Sequence, residues 1–425
     1  MTVEGRRRIA VVGAGVAGLT AAYLLHREHD VTLFEKENRL GGHAHTHAVP
    51  TPDGRILGLD SGFIVHNNAT YPQLLRLFAE LGVATQDSTM SFGVSCQECG
   101  LEYSGARGLA LLAPRVRSGG RVAYARMVFD IARFHRHGQS FLRSNPAPTV
   151  PMGEFLDDGK YSQYFRDHFI LPLSAAVWSS SPRQMLAFPA QYLLRFFANH
   201  GLLGVRSTPQ WKTVVGGSQS YVAKIGALLG PGVMVGAENL TLSRDRDGVT
   251  VLTADGDERR FDDVVIATHP DQALALLTDP TEDESRVLGQ FQYSTNQTVL
   301  HTDESLLPET TRARSSWNYL LDRCATEQGE VRATYSLNRL QMLHEPLEYC
   351  VTLNQTDRID PAKALAHMTY EHPIYTAETL SAQRALPALN GINHTVFAGA
   401  YQGWGFHEDG CASGVRAAAA LGVSW

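Results

Sequence analysis

Ile9-Ala10-Val11-Val12-Gly13-Ala14-Gly15-Val16-Ala17-Gly18 decides the fold, together with Val31-Thr32-Leu33-Phe34-Glu35 downstream. The first four residues form a short, continuous apolar run with β-branched members, the pattern of a strand buried on both faces of a parallel sheet. A G-x-G-x-x-G comes next. Leu19 to His29 is helical in character, with Leu19, Ala22, Tyr23 and Leu25/His26 on one face. A second strand then ends at Glu35. Each glycine has its own task in such a βαβ unit: Gly13 permits the tight turn, Gly15 lets backbone approach a pyrophosphate, and Gly18 lets helix and strand pack closely. The helix start offers free N–H groups and a positive dipole end to phosphates. Glu35 can accept hydrogen bonds from ribose hydroxyls, and its charge disfavours the 2′-phosphate of NADP. A glycine-rich turn alone carries little weight, but strand, helix, second strand and terminal acid agree on a dinucleotide site.

The residues just after Glu35 separate FAD from NAD. Lys36-Glu37-Asn38-Arg39-Leu40-Gly41-Gly42-His43 sets a second glycine pair directly behind the ribose acid, which an NAD dehydrogenase does not need. The run resembles the extended fingerprint of the amine-oxidase-like flavoproteins, E-x-x-x-R-x-G-G, in which this segment wraps the pyrophosphate. That family usually has Arg after the pair; His43 stands here, with His45 nearby, either in phosphate contact or as ordinary loop histidines. Leu59-Asp60-Ser61-Gly62-Phe63-Ile64-Val65 resembles the segment that runs beneath the flavin ring, with Gly62 expected to admit the ring closely. Trp211–Ser218 resembles the G-G stretch that re-enters the FAD domain. The resemblance implies adenine contacts at Asn239 and Leu240. A hairpin is expected around Asp247-Gly248, and a return strand over Phe261–Thr268. Thr395–Ala400 reads as the last strand, and Gly410–Ala420 as a helix aimed at the flavin, with Gly399, Phe406 and His407 beside the ring. Related proteins have an acid after the final glycine of that strand for the ribityl chain, where this sequence has Ala400.

Phe165–Pro172 (F-R-D-H-x-x-x-P), Ala176-Val177-Trp178-Ser179 and Gly405–Gly410 are similar to one bacterial branch of that superfamily, predicted NAD/FAD-binding proteins related to phytoene desaturases and to desaturases of methylated fatty-acyl chains. The resemblance covers nearly the whole chain. It implies an α/β fold with a Rossmann-type, glutathione-reductase-like FAD-binding domain and a mixed α+β substrate-binding domain. The expected division is 1–90, 209–280 and 386–425 for FAD, and 91–208 with 281–385 for the cap.

Composition excludes other classes. Hydrophobic residues make up 44% and charged residues 19% of the 425, a globular balance. A formal charge of −6 gives no basic face for nucleic acid. The five scattered cysteines fit reduced thiols in a cytoplasmic protein. Cys96 and Cys99 form a C-x-x-C, but no second ligand pair lies at zinc-site spacing, so no metal is expected and the pair reads as two thiols in a hairpin turn, with a redox pair as the alternative. Residues Met1 to Arg8 run straight into a strand. No apolar run approaches the roughly 20 residues of a membrane span. No Walker loop, H-E-x-x-H or hydrolase triad order occurs.

The cap carries two notable stretches. Phe188–Phe197 is apolar around most of its surface, either a buried helix or a tunnel wall. Ala123–Phe141 is a basic amphipathic helix with Arg121, Arg126, Arg133, Arg136 and His135/His137, either a solvated face or a peripheral lipid contact. Near the flavin edge, His407, Glu408, Tyr401 and Trp404 are the catalytic candidates, with Trp178, Asn318 and Tyr319 secondary. His407 serves either as a base or as part of a cap. The leading expectation is dehydrogenation of an apolar, acyl-type substrate, with O2 or another acceptor reoxidising the flavin. Amine oxidation, redox-neutral double-bond isomerisation and a non-enzymatic binding role stand as alternatives.

Overall fold

The computed structural model describes residues 5–105, 114–117, 120–144, 149–204, 209–325 and 329–425. The chain start at Met1 and the expected boundary at 208 lie outside them.

The glycine-rich stretch forms strand Arg8–Val12 and helix Val16–Leu25. The strand sits at the centre of a five-stranded parallel sheet, ordered Val233–Met234, Asp30–Phe34, Arg8–Val12, Asp263–Ile266, Thr395–Phe397. Every residue of the helix is buried, because the sheet covers one side and helix His407–Ala420 the other. Those two helices cross closely at glycines. A Cβ on Gly410 would meet Val16 Cγ1 at 2.5 Å, and one on Gly414 would meet Ala17 O at 2.4 Å. Both helices begin beyond the carboxyl ends of the strands, where open α/β sheets place their ligands.

Two details depart from the sequence expectation. The first helix ends at Leu25, and turns carry the chain on to Asp30. The return stretch is split between two sheets: Glu258–Phe261 completes a three-stranded antiparallel sheet with the hairpin strands Thr241–Asp245 and Gly248–Leu252, while Asp263–Ile266 joins the parallel sheet.

A second sheet, of seven strands, belongs to the cap. Its order is Ala364–Ile374, Gln292–His301, Cys350–Leu353, Ala333–Ser336, Trp317–Leu321, Phe92–Cys96, Leu101–Ser104. All its pairings are antiparallel except Trp317–Leu321 with Phe92–Cys96. Helix Leu171–Trp178 packs on strands Trp317–Leu321 and Ala364–Ile374, and helices Gly120–Arg143 and Ala190–Asn199 join it around a core rich in Phe and Tyr. Among the described residues no helix is long and apolar enough to cross a membrane.

Candidate active site

One cavity of about 2030 Å³ runs from the glycine-rich turn to the cap helices. It exceeds the roughly 300–1,000 Å³ of ordinary small-molecule pockets, and has room for a dinucleotide and a second molecule. Its lower end is lined by Gly13, Gly15, Val16, Ala17, Glu35, Lys36, Arg39, Gly42 and His43.

The three glycines of the turn differ in what holds them. Gly13 has φ +100, and a Cβ there would lie 2.8 Å from Ala267 O; on Gly18 it would lie 1.9 Å from Gly13 O. Those two are fixed by the protein itself. Gly15 has φ −68, open to any residue, and its absent Cβ has no atom within 4 Å. Neither backbone nor packing requires glycine there, and the open space faces the cavity. Beside it, Glu35 is buried and accepts the Ala14 N–H at 2.7 Å and the Glu37 N–H at 2.9 Å. Each carboxylate oxygen keeps a lone pair for a hydroxyl. Arg39 reaches back to Gly42 O at 2.9 Å and pairs with Glu37, which fixes the second glycine pair across the turn.

Phe63 and His407 stack at 3.7 Å in the middle of the cavity wall. His407 Nε2 shares a hydrogen bond with Tyr221 Oη at 3.0 Å. Burial lowers its pKa to about 3, so the imidazole is neutral at working pH. Aromatic rings close the far side. Phe196 stacks on Phe406 at 4.8 Å and lies 4.8 Å from Trp178, and the Trp178 indole donates to Trp404 O. Among the buried polar atoms of lining residues, His43 Nε2 and Trp404 Nε1 have no hydrogen-bond partner among the described residues. Such atoms are costly unless a ligand satisfies them.

A glycine cradle at a helix start, a buried acid beside it and an aromatic chamber beyond are the parts of a flavin site. Residues 16–337 match the family model described as flavin-containing amine oxidoreductase. The chain belongs to that family. AofH of Mycobacterium tuberculosis, a flavin-containing monoamine oxidase by name, is 28% identical over 283 residues, which is 64% of this chain and 59% of that protein. The chain thus aligns with somewhat more than half the length of this curated relative. Among solved structures, a fatty acid isomerase from P. acnes superposes with a TM-score of 0.68 at 16% identity, covering 97% of this chain and 98% of the other. Cyclohexylamine oxidase from Brevibacterium oxydans gives 0.68 at 17%, covering 98% of each. At such identities the likeness establishes the fold: an α/β flavoprotein of amine-oxidase architecture. The cofactor is FAD, and the open space at Gly15 fits its pyrophosphate.

Within this family member, most residues singled out from sequence line the one cavity. Asn239, Leu240, Gly62, Ile64, Gly399, Tyr401, Trp404 and Phe406 join those above. Gly18 and Gly41 do not. Both are packing glycines, a Cβ on Gly41 meeting Ala44 O at 2.3 Å. Gly62 lines the cavity, but a Cβ there would collide with His43 O at 2.3 Å, so protein packing already demands glycine without any ring above it. The last helix starts at His407, three residues before the expected Gly410, because Asp409 accepts the Phe406 N–H at 2.9 Å and caps it. Glu408 does not line the cavity. Its two carboxylate oxygens accept the Gln73 and Leu74 N–H groups, each at 3.0 Å, at the start of helix Pro72–Leu81. That occupies it structurally and removes it from the catalytic candidates. Of the secondary candidates, Trp178 lines the cavity. Asn318 is spent on Ser315 O and Thr334 O, and Tyr319 is buried in the cap core.

Helix Ala190–Asn199 is largely buried and yet presents Phe196 to the cavity. Helix Gly120–Arg143 places Ile131 and His135 on the cavity, with Val122 and Phe129 exposed. Sequence reasoning misses His269, Tyr370 and His372. Tyr370 and His372 pack at 4.9 and 5.4 Å from His43, and all three line the cavity. Only His269 carries a signal in the sequence, since it lies just past the carboxyl end of a parallel strand.

Proposed function

We propose that this family member is a FAD-dependent oxidoreductase that dehydrogenates an apolar, acid-ended substrate of the fatty-acyl class. The charge of the cavity beyond the cofactor cradle carries the substrate class. There, Phe92, Phe169, Leu173, Val177 and Phe196 form apolar wall, and the guanidinium groups are Arg312, Arg314 and Arg339. Arg314 pairs with Glu304; Arg312 and Arg339 have no ion pair among the described residues. The lining carboxylate Glu371 is 3.3 Å from His269. Guanidinium groups recognise a carboxylate end and disfavour an ammonium. Each methylene buried on the apolar wall adds about 0.8 kcal/mol.

In this scheme the N–H groups around Gly13, Gly15, Val16 and Ala17 hold the pyrophosphate, with Arg39, Gly42 and His43 over it. Glu35 and Lys36 flank the ribose, Asn239 and Leu240 the adenine. Gly62, Phe63 and Ile64 lie on one side of the ring, with Gly399, Phe406 and His407 near its edge. Bound FAD supplies the hydride acceptor. Tyr401 and Trp404 position the substrate and keep water out. His407, held by Tyr221, orients rather than takes protons. Residues 1–90, 209–280 and 386–425 serve as the cofactor domain, and 91–208 with 281–385 as the cap. Exposed Val122 and Phe129, among Arg121 and Arg126, give helix Gly120–Arg143 a face for peripheral contact with the lipid that supplies such substrates. O2 or another acceptor completes the cycle.

Anaerobic mixing of the yellow protein with chain-matched fatty acids and alkylamines tests this. Lasting bleaching of the flavin band by the acid is expected. Bleaching by the amine alone supports amine oxidation, and acid turnover with no lasting bleaching supports isomerisation; either overturns the proposal.

A further inference from the structure

We propose that Cys96, Cys99, His168 and Cys324 bind one zinc ion as a closed structural site within the cap. Their ligand atoms all lie within 4.8 Å of one another. Two of the six edges are closely defined: Cys96 Sγ to Cys324 Sγ is 3.8 Å, and Cys99 Sγ to His168 Nε2 is 3.6 Å. A tetrahedral zinc with Zn–S of about 2.3 Å and Zn–N of about 2.0–2.1 Å has S···S edges near ~3.8 Å and S···N edges near ~3.6 Å. The separations also exceed the roughly 2.05 Å of a disulfide. Three thiolates and one imidazole form a soft, four-membered set that suits zinc and leaves no open position for chemistry.

The fold brings the four together from three parts of the chain. Cys96 ends strand Phe92–Cys96, and Cys99 lies in the turn to Leu101–Ser104, followed by Gly100 at φ +66. The parallel neighbour Trp317–Leu321 pairs Leu321 with Cys96, so the chain leaving Leu321 runs beside that turn and delivers Cys324. Its N–H donates to the Glu98 carboxylate at 2.7 Å. His168 comes from a single π-helical turn, Arg166–Ile170, set between two α-helical segments, a local irregularity that commonly marks a functional position. Its Nδ1 faces Tyr164 O at 3.2 Å. A proton there leaves Nε2 as the lone-pair nitrogen facing Cys99, the arrangement by which second partners orient metal-ligating histidines. Tyr103 Oη donates to His168 O at 2.7 Å and fixes the turn further. Cys96 and His168 are buried, while Cys99 and Cys324 are half-buried.

Binding would release three thiol protons to solvent, with no change of oxidation state. The ion would tie the outer edge of the seven-stranded sheet to the cap helices. Phe169, the next residue after His168, lines the cavity, so the clamp holds one wall of the substrate chamber. C-x-x-C alone could not reveal this, because the other two ligands arrive singly from distant parts of the chain.

Elemental analysis of the purified flavoprotein, dialysed against metal-free buffer, should return about one zinc per chain. Replacement by Co2+ should give sulfur-to-metal charge-transfer bands and the intense d–d bands of a tetrahedral thiolate site. Cys324→Ser and His168→Ala should each lose the metal and melt at lower temperature, with FAD still bound. Reduced, metal-free wild-type protein would overturn the proposal, as would iron in place of zinc or a Cys96–Cys324 disulfide in peptide mapping. Full zinc retention in both variants would do so as well. The wild-type metal and cobalt measurements stand even if a variant fails to fold.

Discussion

The lower and upper ends of the cavity recognise their ligands by different means. At the lower end the contacts are backbone N–H groups at the start of helix Val16–Leu25, and the shape is set by what is missing at Gly15. At the upper end the contacts are whole side chains, Trp178, Phe196, Trp404 and Phe406, packed on one another. A backbone cradle admits one ligand and tolerates no added atom. A wall of side chains can be re-cut one residue at a time without disturbing the cofactor. The same architecture can therefore keep FAD and change substrate.

The largest effect should come from the cradle. Gly15→Val places atoms in the ligand's space yet meets no protein atom; it should abolish flavin binding while the apo-protein melts as the wild-type apo-protein does. Gly18→Val, in the same motif, meets Gly13 O and should cost about 1–3 kcal/mol or more of stability. Equal melting of the two variants would erase the distinction drawn between a ligand glycine and a packing glycine. Next in size, Glu35→Ala removes the acceptor for two backbone N–H groups and the ribose. At about 1.5–3 kcal/mol for hydrogen bonds to a charged group, FAD should bind ~10–100-fold more weakly by fluorescence titration.

The upper end should respond in substrate terms only. Arg339→Ala should raise KM for a fatty acid ~10-fold, of the order lost with one charge-assisted contact, with FAD content unchanged. A fall in FAD content would place Arg339 at the wrong end. His407→Ala lies where the two ends meet. Because its Nε2 is engaged by Tyr221 and its pKa is lowered to about 3, flavin occupancy should drop while remaining flavin is reduced at a near-normal rate. A loss of ~10²–10⁴-fold in reduction rate at normal occupancy would instead mark it as an acid–base group.

The last effect is a pH dependence of stability set by buried histidines and acids. Burial lowers the pKa of His45, His66 and His372 to about 4 and of His407 to about 3, while the unfolded chain titrates near ~6.5. Between those values the unfolded state binds more protons, so stability should fall as pH drops from about 6.5 toward 4. Asp60 and Asp409, raised to about 6, and Glu408, raised to about 7, oppose this, because the folded chain protonates them first. The histidines outnumber them. A melting temperature that rises from pH 7 to pH 5 would reverse that balance.

The lower end is legible in the sequence because its physics is local. Gly13, Gly15, Gly18 and Glu35 are brought together by one strand, one helix and one more strand, so spacing alone specifies their tasks. Glu408 passes for a catalytic candidate in the sequence because its partners, Gln73 and Leu74, are 335 and 334 residues away. Gly62 reads in the sequence as a glycine kept for a ring, and only the structure reveals that His43 O behind it demands glycine as well. His372 reaches His43 from a distant strand of the cap sheet, a meeting that no periodicity encodes. Cys324 and His168 share that pattern: each looks ordinary until the turn at Cys96–Cys99 is seen beside them.

Whether the open space beside Gly15 holds the pyrophosphate of FAD is tested most directly by the visible spectrum of the purified protein, together with identification of whatever cofactor denaturation releases. Flavin bands with FAD released at one per chain, and no requirement for NADP, are expected. Colourless protein that remains without cofactor after FAD is added would contradict it.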